Sequence, residues 1–223
     1  MTTNDFWALI YSYVYAFGLL GIIEFIGKKA GWPQWVTRKF VHIGAGMWVW
    51  GIWYFFDTWY IGIIPFATFI VLNYIFYRYR IFKTMDEEDS SPGTVYFAFS
   101  ITLLFLLFWR KGLPQDRVYL AIAPIMAMTW GDALASLIGK GFGRHSYTIF
   151  NHTRSWEGSL VMFLVSFFAV FISLNILPGM PSILLPAITA AAVAAIAEGL
   201  SPFGTDNLTV PLITACVLWL WLI

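Results

Sequence analysis

An all-α bundle of membrane-spanning helices is the fold this sequence predicts, and three observations predict it. Hydrophobic residues make up 60% of the 223 and charged residues only 11%, against roughly half and a quarter in soluble domains. The apolar residues fall into runs near the roughly 20 residues that a spanning helix needs. Trp and Tyr, 12 and 11 in number, gather near the ends of those runs, as in interfacial belts. The net charge of +1 argues against a nucleic-acid partner. With Cys216 as the only cysteine, there is neither a disulfide framework nor a cysteine-based zinc site.

The spans follow in order, at about 6–26, 40–56, 59–77, 94–109, 118–138, 158–177, 182–200 and 208–223. The first follows Asp5 and lacks the basic head and small-residue cleavage site of a signal peptide, so it counts as a span. The second opens after Arg38 and Lys39, and the third is rich in aromatics. A hydrophilic connector over 78–92, "RYRIFKTMDEEDSSP", separates the third from the fourth. The fifth runs into Asp132, Pro178 and Pro181 punctuate the turn after the sixth, and Pro202 follows the alanine-rich seventh. The second, fourth and eighth runs are short, so about eight transmembrane helices are expected, with seven as the fallback. No internal repeat divides the chain, and 1–223 reads as one integral-membrane domain.

Basic residues in short loops mark the cytoplasmic side. The connectors after spans one, three and five hold Lys28, Lys29, Arg38, Lys39, Arg78, Arg80, Lys83, Lys140, Arg144 and Arg154, ten of the thirteen Lys and Arg. The other side holds Arg110, Lys111 and Arg117. Both termini are therefore expected outside, with loops at about 27–42, 131–158 and 198–211 facing the cytoplasm. Asn151 and Asn207 open glycosylation sequons on that same side, which discounts them.

Those three loops carry polar residues that the bilayer does not explain. An ionisable side chain at mid-helix costs about 2.5–3.5 kcal/mol on insertion scales, so each one needs a reason. Thr129, Asp132, Ser136 and Lys140 recur at spacings of three and four and form one helical stripe. Gly131, Ala133 and Ala135 beside it allow another helix or a ligand to come close. "GKGFGR", Gly139 to Arg144, offers glycines whose N–H groups can crowd an anion, and two cations to neutralise it. It has neither the Walker spacing nor the strand–helix context of a dinucleotide fingerprint, and a flexible basic loop would look similar.

"TRSWEG" brings Arg154 and Glu157 to the start of the sixth span. Glu157 there serves either the helix dipole or a metal. His145 and His152 read as loop histidines rather than metal ligands. Arg38 and His42 stand one turn apart beside Gly44, Ala45 and Gly46, small residues that suggest a crevice. Glu198 ends the alanine-rich run, and Asp206 and Asn207 follow in the next turn. Oxygen donors from Asp132, Glu198 and Asp206 suit magnesium, which favours carboxylates together with phosphate oxygens.

Four stretches in order, "RKFVHIGAG", "GDALASLIGKGFGR", "RSWEGSL" and "EGLSPFGTDNLTVP", resemble the motifs of the polyprenol kinase family. "SPGTVYFAFS", Ser91 to Ser100, looks most like its phytol kinase branch. The resemblance spans roughly residues 38 to 211. The centre is also similar to CTP:phosphatidate cytidylyltransferases, but those end in a second aspartate pattern where this chain has "GTDNLTVP". Arg154 stands where a lysine is common in the family.

The resemblance implies a membrane enzyme of a prokaryotic inner membrane, moving the γ-phosphoryl of CTP to a long-chain isoprenoid alcohol such as phytol, geranylgeraniol, farnesol or a longer polyprenol. Its implied partners are the bilayer, CTP, the alcohol and, in a homodimer, a second copy of the chain. It implies Asp132, Asp206 and Glu198 as catalytic carboxylates. Lys140, Arg144, Arg154, Asn207, Arg38, Lys39 and His42 would bind the nucleotide, and Asp132, Asp206 and Glu157 would hold Mg2+. Cytidylyl transfer to a lipid phosphate is the alternative. A small transporter is a remote one, because the polar groups gather at one face rather than at mid-membrane.

Overall fold

A computed structural model describes residues 1–79, 92–149, 152–177 and 182–223. Most of the hydrophilic connector, with Arg80, Lys83, Asp86 and Ser91, lies outside the described residues, as do Pro178 and Pro181. Among the described residues, eight helical rods correspond to the eight apolar runs. They are α1 (Thr3–Ala30), α2 (Gln34–Phe55), α3 (Trp59–Gly62) continued by α4 (Ile64–Tyr79), and α5 (Gly93–Phe108). The fifth rod joins α6 (Tyr119–Met126) and α7 (Ala133–Phe142) through a π-helical turn at Ala127–Asp132. Then come α8 (Trp156–Ile176), α9 (Leu184–Leu200) and α10 (Asp206–Leu222). Four rods are long and apolar enough to cross a membrane: α1, α3–α4, α6–α7 and α8. Helices α5, α9 and α10 are apolar but shorter, at 16, 17 and 17 residues.

The α6–α7 rod is the axis of the bundle. Of its apolar window 72% is buried, against 11% for α1. A helix apolar on every side belongs inside, and "YLAIAPIM" is apolar all round, with Leu120 to Ile125 fully buried. On one side α8, α9 and α10 pack against the rod. Buried Ala187, Ala190, Ala191 and Ala194 give α9 a small-residue face that admits its neighbours closely. On the other side stand two pairs, α1 with α2 and α4 with α5. Trp48 donates to Ser12 Oγ at 3.1 Å and stacks on Tyr15 at 4.3 Å, joining the first pair. Asn73 donates to Thr94 O at 2.9 Å, joining the second.

The end of the bundle away from the motif loops is tied by polar groups used locally. Buried Asp5 accepts from the N–H groups of Thr2, Asp57 and Thr58 and from the Thr58 hydroxyl, locking the start of α1 to the turn after α2. Lys111 donates to Trp53 O and Phe56 O at the C-terminal end of α2, where the macrodipole favours a cation.

Two local features depart from the sequence reading. The connector after α7 contains a hairpin, β1 (Ser146–Ile149) against β2 (His152–Ser155), antiparallel with Tyr147 opposite Arg154. Two four-residue strands carry too little alternation to announce themselves beside eight apolar runs. In addition, the π turn widens the helix at Thr129, so the regular stripe breaks there. Asp132, Ser136 and Lys140 reach the cavity described below, whereas buried Thr129 packs beneath Gly46. A Cβ at Gly46 would collide with the Thr129 hydroxyl, so the glycine sets how closely α2 approaches the axis.

Candidate active site

The motif loops converge on one end of a cavity of about 790 Å³ enclosed by the two halves of the bundle. Its polar end is walled by Arg38, Lys39, His42, Asp132, Lys140 and Arg154, with Asp206 and Asn207. Its apolar end runs between α1, α2, α4 and α5, past Leu19, Trp48, Phe66, Phe69, Phe97 and Ile101. The size is that of a small-molecule site, which commonly spans about 300–1,000 Å³. The two ends differ completely in chemistry.

Three carboxylates gather at the polar end from separate elements: Asp132 closes the π turn, Glu198 sits in the last turn of α9, and Asp206 opens α10. One oxygen of each lies within 4.8 Å of the others, and all three side chains are buried. Like charges at that separation repel by about 3.5 kcal/mol per pair at an effective dielectric of 20. Two cations oppose them. Lys39 Nζ donates to both Asp132 oxygens, at 2.9 and 2.8 Å. Arg154 Nη1 pairs with Glu198 at 2.8 Å, and Nη2 reaches Asp206 at 3.6 Å and Ser201 O at 3.1 Å. Burial works against the Arg154 guanidinium, but Glu198, Asp206 and Asp132 outweigh it and raise its pKa further above the ordinary arginine value.

With all three carboxylates ionised, three negative charges face two positive ones, leaving −1. A divalent cation suits that balance, and the donors are the hard oxygens that magnesium selects.

Of the residues singled out from sequence, the structure brings Asp132, Asp206, Asn207, Lys140, Arg154, Arg38, Lys39 and His42 to the cavity. Glu198 stands behind Arg154, within the carboxylate trio. Two residues are not brought there. Arg144 is exposed beyond the end of α7, outside the cavity lining. Glu157, expected among the metal carboxylates, turns to His145 at 2.7 Å instead and lies apart from the trio. The position of Glu157 in the first turn of α8 suits the helix dipole.

The glycines of "GKGFGR" do not form an anion-cradling loop. Gly139 and Gly141 lie inside α7, and Gly143 caps it by donating to Gly139 O. A Cβ at Gly139 or Gly158 would press on Ser155 Oγ and on the facing glycine, so this pair lets α7 touch the start of α8. Ser155 in turn caps α8 by accepting from Gly158 N at 3.0 Å. Sequence reasoning read His152 as a loop histidine and passed over Phe203 and the aromatic walls at Trp35 and Trp48, all of which line the cavity. Nothing in their spacing distinguished them from loop or core residues.

Comparison with known proteins gives relatives along most of the chain. A phytol kinase of Synechocystis sp. is 38% identical over 207 residues, which cover 89% of this chain and 86% of that protein. A chloroplastic farnesol kinase of Arabidopsis thaliana is 28% identical over 225 residues, 91% of this chain and 70% of that one. A probable chloroplastic phytol kinase 3 of Glycine max is 27% identical over 236 residues, 96% and 72% respectively. No family model and no solved structure matches the chain.

Proposed function

The chain belongs to the polyprenol kinase family, near its phytol kinase branch, and from that premise we propose that it phosphorylates a long-chain isoprenoid alcohol with CTP as donor and Mg2+ as cofactor. The observation that carries the reading is the two-ended cavity, which joins a carboxylate and cation cluster to an apolar aromatic chamber. A lipid alcohol has that same division. Its chain lies among Trp48, Phe66 and Phe97, and its hydroxyl points up at Asp132.

Phosphoryl transfer demands alignment and charge neutralisation more than covalent help. Asp132, Glu198 and Asp206 would hold Mg2+, which would supply charge neutralisation to the phosphate oxygens. Lys39, Lys140, Arg38 and Arg154 face the phosphates and take up the charge spread over the transferring group. The alcohol oxygen bonds to the γ-phosphorus while the bond to the β-phosphate oxygen breaks. The hydroxyl proton passes to a carboxylate, Asp132 or Asp206, leaving the prenyl monophosphate and CDP. His42 Nε2 meets Met128 O at 3.4 Å and stands 3.7 Å from Asp132, on the side of α2.

The test is the fate of label. With γ-labelled CTP and phytol, geranylgeraniol or farnesol, label enters the lipid; with α-labelled CTP it stays in CDP. Entry of α-label into phosphatidate, with none from the γ position in any alcohol, would replace the kinase by a cytidylyltransferase.

The cluster also needs access to cytoplasmic CTP, and the ten-to-three split of Lys and Arg supports that orientation in a prokaryotic plasma membrane. In a Cys216→Ser background, Ser146→Cys on the hairpin resists an impermeant thiol reagent in intact cells, whereas Gln115→Cys in the connector after α5 is labelled. The opposite pattern would place the carboxylates outside, away from the donor.

A further inference from the structure

At the edge of the polar end, beyond the carboxylates, two buried polar atoms stand without a partner among the described residues, and both belong to side chains lining the cavity: Asn207 Oδ1 and His152 Nε2. Asn207 is only 8% exposed, so its amide has no ready access to bulk water. Orphaned polar groups are rare in native interiors, and each one asks for an explanation. Beside them is Phe203. It has φ 52°, the one positive φ outside glycine among the described residues. Left-handed backbone is unfavourable for a bulky side chain and persists where the surroundings impose it, often at ligand sites. The ring is nevertheless 65% exposed, lines the cavity, and meets the His152 imidazole edge-on at 4.5 Å. Phe203 and Gly204, φ 74°, are the central residues of a turn closed by Thr205 N–H donating to Pro202 O at 3.0 Å, and that turn holds the ring at the cavity rather than in the core.

From these three residues we infer a nucleobase subsite, in which Phe203 stacks on the base and Asn207 and His152 read its edge. The inference rests on the nucleotide-donor reading above and adds the part of the site that discriminates between bases. Every base offers a π face to an aromatic ring, so stacking supplies affinity without choice. Choice comes from hydrogen bonds to the base edge. Cytosine presents its exocyclic amine as a donor beside a ring-nitrogen acceptor. Asn207 Oδ1 accepts from the amine, and His152 donates from Nε2 to the ring nitrogen in the tautomer that carries its proton there. Uracil presents the reverse order, a carbonyl and an N–H, and would leave like facing like. The position fits as well. Asn207 follows Asp206 directly, and His152 is two residues before Arg154 on β2, so a base held here has its phosphates toward the carboxylate and cation cluster.

The experiment compares kcat/KM for CTP, UTP, ATP and GTP in the native protein and in Asn207→Ala, His152→Ala and Phe203→Ala. The native protein prefers CTP. Asn207→Ala and His152→Ala each lose about tenfold of the CTP:UTP ratio, the worth of one hydrogen bond to a group otherwise left unpaired. Phe203→Ala raises KM for every nucleotide alike while kcat holds. An equal fall for all four nucleotides in both Asn207→Ala and His152→Ala, with the ratio intact, overturns the subsite. Should Asn207→Ala lose the fold, His152→Ala on the hairpin carries the ratio test alone. Equilibrium dialysis of labelled CTP and UTP repeats the comparison without turnover. Absence of transfer in the native chain then sinks the kinase reading, while the two affinities still judge the subsite. A native preference for another base would overturn the CTP assignment, and loss of that preference in the variants would uphold the subsite.

Discussion

Asp132→Asn lowers phosphoryl transfer at least ~100-fold, the usual scale for a lost metal ligand or general base, while membrane insertion and expression stay at native levels. The substitution keeps volume and shape and removes only the charge. In the native chain both carboxylate oxygens are bound by Lys39 Nζ, and the side chain is almost wholly buried. The variant leaves Lys39 without its counter-charge, but the Lys39 side chain is 19% exposed and lines the cavity, so water can solvate the ammonium. The stability loss is therefore smaller than the about 3–5 kcal/mol that breaking a fully buried pair costs. Turnover in detergent, read beside the melting temperature, separates the two effects. Near-native turnover would reduce Asp132 to an anchor for Lys39.

The contrast between Asp132 and Glu157 shows what was legible in the chain. Both are acidic residues at the ends of apolar runs beside the motif loops, and both were expected near the metal. Asp132 lies on the face that Ser136 and Lys140 share, and α-helical phase carries that relation through α7 to the cavity. Glu157 has no such phase relation, and its local partner His145 comes from the bend just before the hairpin. In a bilayer a long apolar run must satisfy its backbone polar groups within itself and so forms a helix, and among the described residues eight runs correspond to eight rods. The meeting of Asp132 with Asp206 is a tertiary event between residues far apart in the chain, and only their shared face was readable beforehand. The π turn that diverts Thr129 and the two four-residue strands depend on packing that no local pattern reports.

Arg154→Ala is expected to have the other large effect, and its signature is a changed demand for magnesium. Arg154 pairs with two members of the carboxylate trio and also holds Ser201 O, so it joins β2 to the turn between α9 and α10. Without it one of the two cations paired with the trio is gone, and the formal balance of these groups moves from −1 to −2. Glu198, only 6% exposed at its side chain, then loses its Arg154 ion pair and must either take up a proton or bear an uncompensated buried charge. Removing one member of a buried pair costs about 3–5 kcal/mol, so the melting temperature in chelator falls well below native. A more negative site takes a cation more strongly, and a ligand that binds only the folded state raises stability with its concentration. Added Mg2+ therefore recovers more stability in the variant than in the native protein. Activity does not follow. The guanidinium that faces the phosphates is gone, and transfer stays at least ~100-fold down at saturating magnesium. Arg154→Lys restores the charge but not the planar fork that serves Glu198, Asp206 and a carbonyl together. Its turnover falls between the two, with KM for CTP raised. Native turnover in Arg154→Ala, with a melting temperature no more sensitive to Mg2+ than before, would mean that the carboxylates neither hold the metal nor depend on Arg154 for their balance.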